Sequence, residues 1–244
     1  MGRAILLPER FVSSIVAEPV VITDDKGIRV SGLLQTPAKP RACYVLAHGA
    51  GAGMKHPFMA AVAAELAQRG IATLRYQFPY MERGGKRPDP PAVAHATVRA
   101  AVDAARPLLP KIPLIAGGKS FGGRMTSQAQ AKTPLPGVCG LAFLGFPLHP
   151  AGRPSQDRAE HLFDVQVPML FLQGTRDTLA ELDQLEPLCR ALGSRAALKL
   201  FQDADHSFHV PARTGRNDAE IRAAMLDALG AWIDDVITAR VKAR

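Results

Sequence analysis

The chain has 244 residues, of which 47% are hydrophobic and 21% charged, a balance typical of one globular α/β domain with a substantial core. Its formal net charge is +8, but the basic residues are scattered and form no run of five or more, so the charge does not indicate a nucleic-acid partner. No stretch approaches the roughly 18 apolar residues of a membrane span, so we expect no membrane partner.

Two further features bear on compartment and metal binding. Residues 1–9 hold too short an apolar run for a signal peptide, and Leu6 occupies the Ser/Thr position of a myristoylation motif. The cysteines Cys43, Cys139 and Cys189 are widely spaced, and no Cys/His cluster indicates a metal site. We therefore expect a cytoplasmic protein without a disulfide framework or a bound metal.

Apolar strand patterns alternate with segments of helical period along the whole chain. A hairpin at about 18–36 comes first, with strands Val20–Thr23 and Ile28–Gln35 turned by Asp25-Lys26-Gly27. Buried strands are predicted at Cys43–Ala47, Ile71–Tyr76, Leu114–Gly117, Val138–Leu144, Met169–Gln173 and Ala197–Phe201. Helices are predicted between them at about 57–69, 92–106, 121–132, 179–192 and 216–240.

This alternation predicts a single α/β domain over residues 1–244, with its core at about 40–240. Its sheet should be doubly wound and mostly parallel, with helices on both faces. Ligands bind such sheets at the carboxyl ends of the strands, so the residues that follow each strand are the most informative. The longest irregular segment, from Phe146 to Val167, is too short to fold as a separate cap domain.

The strand at 114–117 runs directly into a glycine-rich turn around Ser120. The residues Gly118-Lys119-Ser120-Phe121-Gly122 fit G-x-S-x-G between a strand and a helix, which is the setting of a nucleophile elbow. Glycine is needed on both sides because a β-carbon there would keep strand and helix apart. A phosphate-binding loop also ends in Gly-Lys-Ser, but its first glycine would fall at Pro113. The pattern therefore predicts a nucleophilic serine; the alternative is a glycine-rich turn with an incidental serine.

A serine hydroxyl needs a general base, usually a histidine that a carboxylate holds in place. In folds with a nucleophile elbow, the three residues follow one another along the chain in the order serine, acid, histidine. Asp177 and His206 follow that order, and each lies just after a predicted strand, so both are expected at the sheet edge that carries Ser120. The histidine loop also contains rivals for the base and the acid: His209, Asp203 and Asp205.

Acyl transfer through a serine also needs two N–H donors for the developing oxyanion. Phe121, directly after the nucleophile, is expected to supply one. The second should come from the Gly/Ala-rich loop at 48–53, where Ala50 follows His48-Gly49. His48 itself is expected to support this loop.

Two loops, at 76–80 and 146–150, are expected to form the mouth of the site. The residues in and near these loops that are candidates to line it are His48, Gly51, Tyr76, Phe78, Tyr80, Phe146 and His149. Basic residues of the same regions either favour acidic substrates or are ordinary solvated loop residues: Arg83, Lys86, Arg87, Arg153, Arg158 and His161.

Six segments carry a family resemblance: HGAGAGMKHPFM (48–59), RYQFPYMERGGKRPDP (75–90), GGKSFGGRM (117–125), GFPLHPAGRP (145–154), QGTRD (173–177) and DADHSF (203–208). With them the chain resembles the α/β-hydrolase-like family that includes the testis-expressed protein and the third regulatory subunit of the NSL acetyltransferase complex. It more distantly resembles the dienelactone hydrolases. The resemblance implies the α/β-hydrolase fold and the triad Ser120, Asp177 and His206. It implies little about substrate, because some members are complex subunits rather than enzymes.

The pattern as a whole predicts a serine hydrolase that cleaves a small-molecule ester or thioester through an acyl-enzyme, without a cofactor. Without a cap domain the site should be shallow and favour short acyl chains. The alternative is a non-catalytic interaction protein that retains the hydrolase fold.

Overall fold

The computed structural model of the protein describes residues 15–242. Its strands are β1 (Glu18–Thr23), β2 (Arg29–Gln35), β3 (Ala42–Ala47), β4 (Ile71–Tyr76), β5 (Leu114–Lys119), β6 (Val138–Leu144), β7 (Met169–Gly174) and β8 (Ala196–Phe201). They form one sheet in the order β1-β2-β4-β3-β5-β6-β7-β8. β2 pairs antiparallel with β1 and with β4, and the pairings from β4 to β8 are parallel. The predicted mostly parallel sheet is confirmed.

Local hydrogen bonds explain the turn of the first hairpin. The Asp24 side chain accepts hydrogen bonds from the N–H groups of Lys26 at 3.0 Å and Ile28 at 2.7 Å. Gly27 has a φ of 79°, which glycine adopts without steric cost. The predicted hairpin is confirmed, although β1 begins at Glu18 rather than Val20.

Helices cover both faces of the sheet, as predicted. They are α1 (Pro57–Gln68), α2 (Pro79–Glu82), α3 (Pro91–Leu108), α4 (Phe121–Lys132), α5 (Leu182–Leu192) and α6 (Asp218–Lys242). On β3, Tyr44 and Leu46 belong to the apolar cluster that includes residues of α1 and α6, whereas Cys43 and Val45 belong to the cluster on the other face, which includes residues of α3, α4 and α5. Because both faces of β3 are buried, its sequence is apolar throughout rather than alternating.

Two short helices lie where loops were predicted. α2 falls within and just after the loop at 76–80, where Pro79 at its first position supplies a helical φ and needs no amide donor. A 3₁₀ helix, Asp157–Asp164, lies within the irregular segment at 146–167 and packs against α4. The segment contains no other helix or strand, so no separate cap covers the sheet edge within the described residues.

α5 begins at Leu182, whereas a start at 179 was predicted. Leu179 makes other hydrogen bonds instead: its N–H donates to the nearby Asp177 side chain at 2.9 Å, and its carbonyl accepts a tertiary bond from the Leu148 N–H at 2.8 Å. These bonds hold Leu179 in a loop, so α5 begins after it.

The N-terminal residues 1–9, for which no signal peptide or myristoylation was predicted, lie outside the described residues. Between residues 15 and 242, no helix combines the length and apolar character needed to span a bilayer. The same stretch of chain contains no group of three His, Cys, Asp or Glu side chains placed to hold a metal ion.

Candidate active site

Ser120 occupies the sharp turn between β5 and α4. Its φ of 50° and ψ of −116° are strained for a residue with a β-carbon. A β-carbon on Gly118 would lie 2.2 Å from the Ala47 carbonyl oxygen, and one on Gly122 would lie 2.5 Å from the His48 carbonyl oxygen. The glycines of the G-x-S-x-G sequence are therefore required for β5 and α4 to pack against the end of β3.

A chain of hydrogen bonds joins Ser120, His206 and Asp177. The Ser120 Oγ lies 2.8 Å from His206 Nε2, and His206 Nδ1 lies 2.6 Å from Asp177 Oδ2. The carboxylate can only accept, so Nδ1 carries the proton and Nε2 is left to accept from the serine hydroxyl. Three residues distant in sequence thus lie in the arrangement that a serine nucleophile, its general base and an orienting acid would require.

Gln173, at the end of β7, holds Asp177 in place and was missed by sequence reasoning. Its Nε2 donates to Asp177 Oδ2, and its Oε1 accepts from the Phe146 N–H at 2.9 Å. Asp177 is also fixed through Oδ1, which accepts from the Leu179 N–H. The sequence did contain a signal for this role: Gln173 is a polar residue at the end of an otherwise apolar strand, and a buried side-chain amide needs hydrogen-bond partners.

Lys119, which occupies the first unspecified position of the G-x-S-x-G pattern, is the second residue that sequence reasoning missed. Its Nζ donates to the backbone carbonyl of His206 at 2.5 Å and lies 5.6 Å from the centre of the Phe208 ring. Burial lowers the pKa of Lys119 to about 8, while the carboxylates of Asp177 and Asp205 act in the opposite direction. Lys119 thus ties the histidine loop to β5.

The rival residues of the histidine loop have other partners. His209 is exposed, and its Nδ1 lies 2.9 Å from the Asp218 carboxylate, whose hydrogen bond and charge raise the pKa of His209. Asp205 accepts from backbone N–H groups of its own loop, including that of His209 at 3.0 Å. Asp203 lies in a turn with a φ of 60°. In the structure, none of the three takes part in the hydrogen-bond chain from Ser120.

The two predicted oxyanion donors lie beside Ser120. Phe121 is the first residue of α4, and Ala50 follows β3; both line the same cleft as Ser120. Among residues 15–242, neither the Ala50 N–H nor the Phe121 N–H donates a hydrogen bond to a loop carbonyl or to a side chain. The Tyr80 hydroxyl donates to the Ala50 carbonyl at 2.8 Å and so holds the peptide unit that joins Ala50 to Gly51.

His48 supports the loop after β3, as predicted for it. Its Nδ1 lies 2.8 Å from the Gly49 carbonyl and donates to it, and its Nε2 accepts from the Phe78 N–H at 3.1 Å. Burial lowers the pKa of His48 to about 4, so the ring is neutral near pH 7.

Most of the side chains predicted to line the site lie beneath it instead. His48, Tyr76, Phe78, Phe146 and His149 have no exposed surface, and Tyr80 has only 2%. The loops after β4 and β6 turn inward because these large rings gain more from burial in the core than from exposure to water. Gly51 is exposed and is not among the residues that line the cleft at Ser120.

The cleft at Ser120 has a volume of about 400 Å³ and opens to solvent. The residues that line it are Ala50, Pro88, Asp89, Pro91, Ser120, Phe121, Arg124, Met125, Pro147, Arg158 and Leu179. Its walls come from the segment before α3, the first turns of α4, the 3₁₀ helix and the loops after β3, β6 and β7. Sequence reasoning had placed Phe121, Ala50 and the loop at 146–150 at the site and had offered Arg158 as a residue that could favour acidic substrates, but it had not considered Arg124 or Met125.

Comparisons with known proteins agree with this architecture. Residues 40–234 match the family described as alpha/beta hydrolase domain. Among solved structures, an α/β serine hydrolase without a lid from Xanthomonas campestris is 20% identical with a TM-score of 0.69, over 93% of this chain and 97% of that one. A dienelactone hydrolase from Anabaena variabilis is 20% identical with a TM-score of 0.72, over 90% and 97% of the two chains. The esterase domain of a Rhodothermus marinus protein is 19% identical with a TM-score of 0.67, over 88% and 97%.

These structural similarities show the fold, and the family match covers most of the chain. The chain belongs to the α/β hydrolase domain family.

Proposed function

We propose that this protein is a serine hydrolase that cleaves a small-molecule ester or thioester through an acyl-enzyme. The observation that carries the proposal is the continuous hydrogen-bond chain from Ser120 Oγ through His206 to Asp177, with distances of 2.8 and 2.6 Å. A purely structural protein has no physical need for this arrangement at a strained turn, so the alternative of a non-catalytic interaction protein is not favoured.

In the acylation step, Ser120 Oγ attacks the carbonyl carbon while His206 Nε2 takes the hydroxyl proton. The N–H groups of Ala50 and Phe121 stabilise the oxyanion of the tetrahedral intermediate. His206 then returns the proton to the leaving alcohol or thiol as the bond to the carbonyl carbon breaks. Asp177 stabilises the transient imidazolium and keeps Nδ1 protonated.

Deacylation repeats the sequence with water as the nucleophile. His206 takes a proton from the water as it attacks the acyl-enzyme, and then gives it to Ser120 Oγ as the acid leaves. No cofactor enters either step, and every proton that His206 accepts is returned.

The solved neighbours described as a serine hydrolase and an esterase support ester chemistry for this fold. The choice between ester and thioester is part of our proposal. So is the closer grouping with the testis-expressed and NSL-complex hydrolase-like proteins, which rests on the six shared sequence segments.

The test of this proposal is the Ser120→Ala variant assayed with 4-nitrophenyl butyrate. We expect kcat to fall by about 10⁴–10⁶-fold, the loss typical of a removed triad nucleophile, with the circular dichroism spectrum unchanged. Labelling by a fluorophosphonate should disappear with the same substitution. The matched control is Ser194→Ala at an exposed serine, which should retain both activity and labelling. Undiminished turnover by folded Ser120→Ala protein would refute the proposal.

A further inference from the structure

The cleft at Ser120 is lined by two arginines, Arg124 and Arg158, that form no ion pair with a carboxylate of residues 15–242. Arg124 lies in the first turns of α4, and Arg158 lies in the 3₁₀ helix that packs against α4. Several arginines of the described residues pair with carboxylates, but neither of these two does. The Nε of Arg124 is buried and has no hydrogen-bond partner among residues 15–242.

The two positive charges also repel each other. Burial, and then the charge of Arg158, lower the pKa of Arg124. A guanidinium nevertheless remains protonated throughout the physiological range. Two like charges that are kept close together, one of them with a buried and unsatisfied donor, are unfavourable unless an anion joins them.

The acidic residue that lines the same cleft, Asp89, is already occupied. Its Oδ1 pairs with Arg83 at 2.7 Å, and its Oδ2 accepts from the Tyr80 N–H at 2.7 Å. His161 neighbours Arg124, and burial lowers its pKa to about 4, so the ring is neutral near pH 7 and adds no charge to the cleft. The cleft therefore keeps an excess of positive charge next to the nucleophile.

We infer that Arg124 and Arg158 form an anion subsite beside Ser120, and that the preferred substrate is a small ester that carries a carboxylate. This inference rests on the proposed function, because it names the substrate class of the same site. A planar guanidinium matches the two oxygens of a carboxylate, and such charge-assisted hydrogen bonds strengthen where water is partly excluded. The carboxylate would satisfy the free donors and relieve the repulsion between the arginines.

The experiment compares two pairs of esters with wild-type protein. Mono-4-nitrophenyl adipate and 4-nitrophenyl hexanoate have the same leaving group and acyl length, but only the first ends in a carboxylate. 4-Acetoxybenzoate and 4-acetoxybenzamide place the same difference on the leaving group. We expect kcat/KM to favour the anionic ester by about tenfold or more in at least one pair, a typical gain from a charge-assisted contact.

The variants Arg124→Gln and Arg158→Gln then identify the source of the preference. The measured quantity is the ratio of kcat/KM between anionic and neutral ester, because general damage to the site lowers both values together. We expect the ratio to fall to about 1 in each variant. Arg158 is partly exposed and is the safer variant if Arg124→Gln fails to fold. The matched control is Arg153→Gln, an exposed arginine of the same segment that does not line the cleft and should retain the wild-type ratio.

The outcomes separate this inference from the proposed function. Hydrolysis that depends on Ser120 but shows no anionic preference, or a preference that survives both substitutions, would overturn the subsite and leave the serine hydrolase standing. Absence of Ser120-dependent hydrolysis would count against the proposed function instead. Calorimetric titration with adipate then decides the subsite alone: binding weakened about tenfold by Arg158→Gln supports it, and unchanged or undetectable binding overturns it.

Discussion

His206 and His209 lie three positions apart on one loop but have different surroundings. His206 is partly buried between Ser120 and Asp177, whereas His209 is exposed and pairs with Asp218. We expect His206→Ala to lower kcat about as much as Ser120→Ala does, by about 10⁴–10⁶-fold, because the serine loses its proton acceptor.

His209→Ala is the matched control and should keep kcat within a few fold, since the lost contact is an exposed ion pair. Steady-state assays with 4-nitrophenyl butyrate check both variants. The assignment of the base is wrong if the His209 variant is the inactive one and the His206 variant remains active.

The missed contributions of Gln173 and Lys119 also belong to the residue scale. Both act on residues that are distant in sequence: Gln173 holds the Phe146 backbone as well as Asp177, and Lys119 holds the His206 carbonyl. Motif spacing identifies residues that perform chemistry because their types are restricted. It does not identify the residues that position them, because many polar side chains can donate one hydrogen bond.

At the scale of elements, the junction of β5 and α4 depends on the absence of a side chain at Gly118. This residue has a φ of 151°, and an added β-carbon would lie 2.2 Å from the Ala47 carbonyl oxygen. Gly118→Ala should therefore lower the free energy of unfolding by about 3 kcal/mol or more, through backbone strain and overpacking, and should displace Ser120.

Gly51→Ala is the control for this prediction, because an added β-carbon there meets nothing within 4 Å. Its free energy of unfolding should lie within about 0.5 kcal/mol of the wild-type value. Urea denaturation followed by circular dichroism measures both. If the Gly118 and Gly51 variants had equal free energies of unfolding, close packing at the elbow could not be the reason that glycine is required at position 118.

The long elements were predictable and the short ones were not. The buried strands follow from apolar runs of four to seven residues, and the helices α1, α3, α4 and α6 follow from helical periodicity over twelve or more residues. By contrast, α2 has four residues, and the start of α5 depends on what binds Leu179. Propensity over so few residues is too weak to compete with one tertiary hydrogen bond.

At the scale of the whole molecule, the buried His48 couples stability to pH. Folding lowers the pKa of His48 from 6.5 to about 4, so between these values the unfolded chain binds more protons. Stability is therefore complete above about pH 6.5 and declines as the pH falls toward 4. We expect His48 to account for about 2 kcal/mol of the difference in unfolding free energy between pH 7.5 and pH 5.

Urea denaturation of His48→Gln at the two pH values tests this prediction. The variant should be less stable at pH 7.5 but should show a smaller loss on acidification, with the partly buried His161 contributing to the loss that remains. His56→Asn is the control, because it changes an exposed histidine while keeping an acceptor at the start of α1. A loss on acidification that is unchanged in the His48 variant would contradict the assignment.

The shape of the molecule around Ser120 predicts the preferred substrate size. The cleft is open and measures about 400 Å³, and the described residues include no cap over it. A buried methylene gains about 0.8 kcal/mol, so kcat/KM should stop rising once the acyl chain extends beyond the cleft. We expect the maximum among neutral 4-nitrophenyl esters at about C2–C6. A maximum at C12 or longer, measured below the critical micelle concentration, would indicate a buried acyl tunnel.

The sequence by itself determined the mostly parallel sheet, the elbow at Ser120 and the order of serine, acid and histidine. These features leave periodic or residue-type signals that are local in the chain. Only the tertiary structure decided which side chains face the cleft. The aromatic residues after β4 and β6 were expected in its wall but are buried, while Arg124 and Arg158 line it. The direction in which a loop side chain points depends on the free energy of packing against distant elements, and that energy has no counterpart in the spacing of residues along the chain.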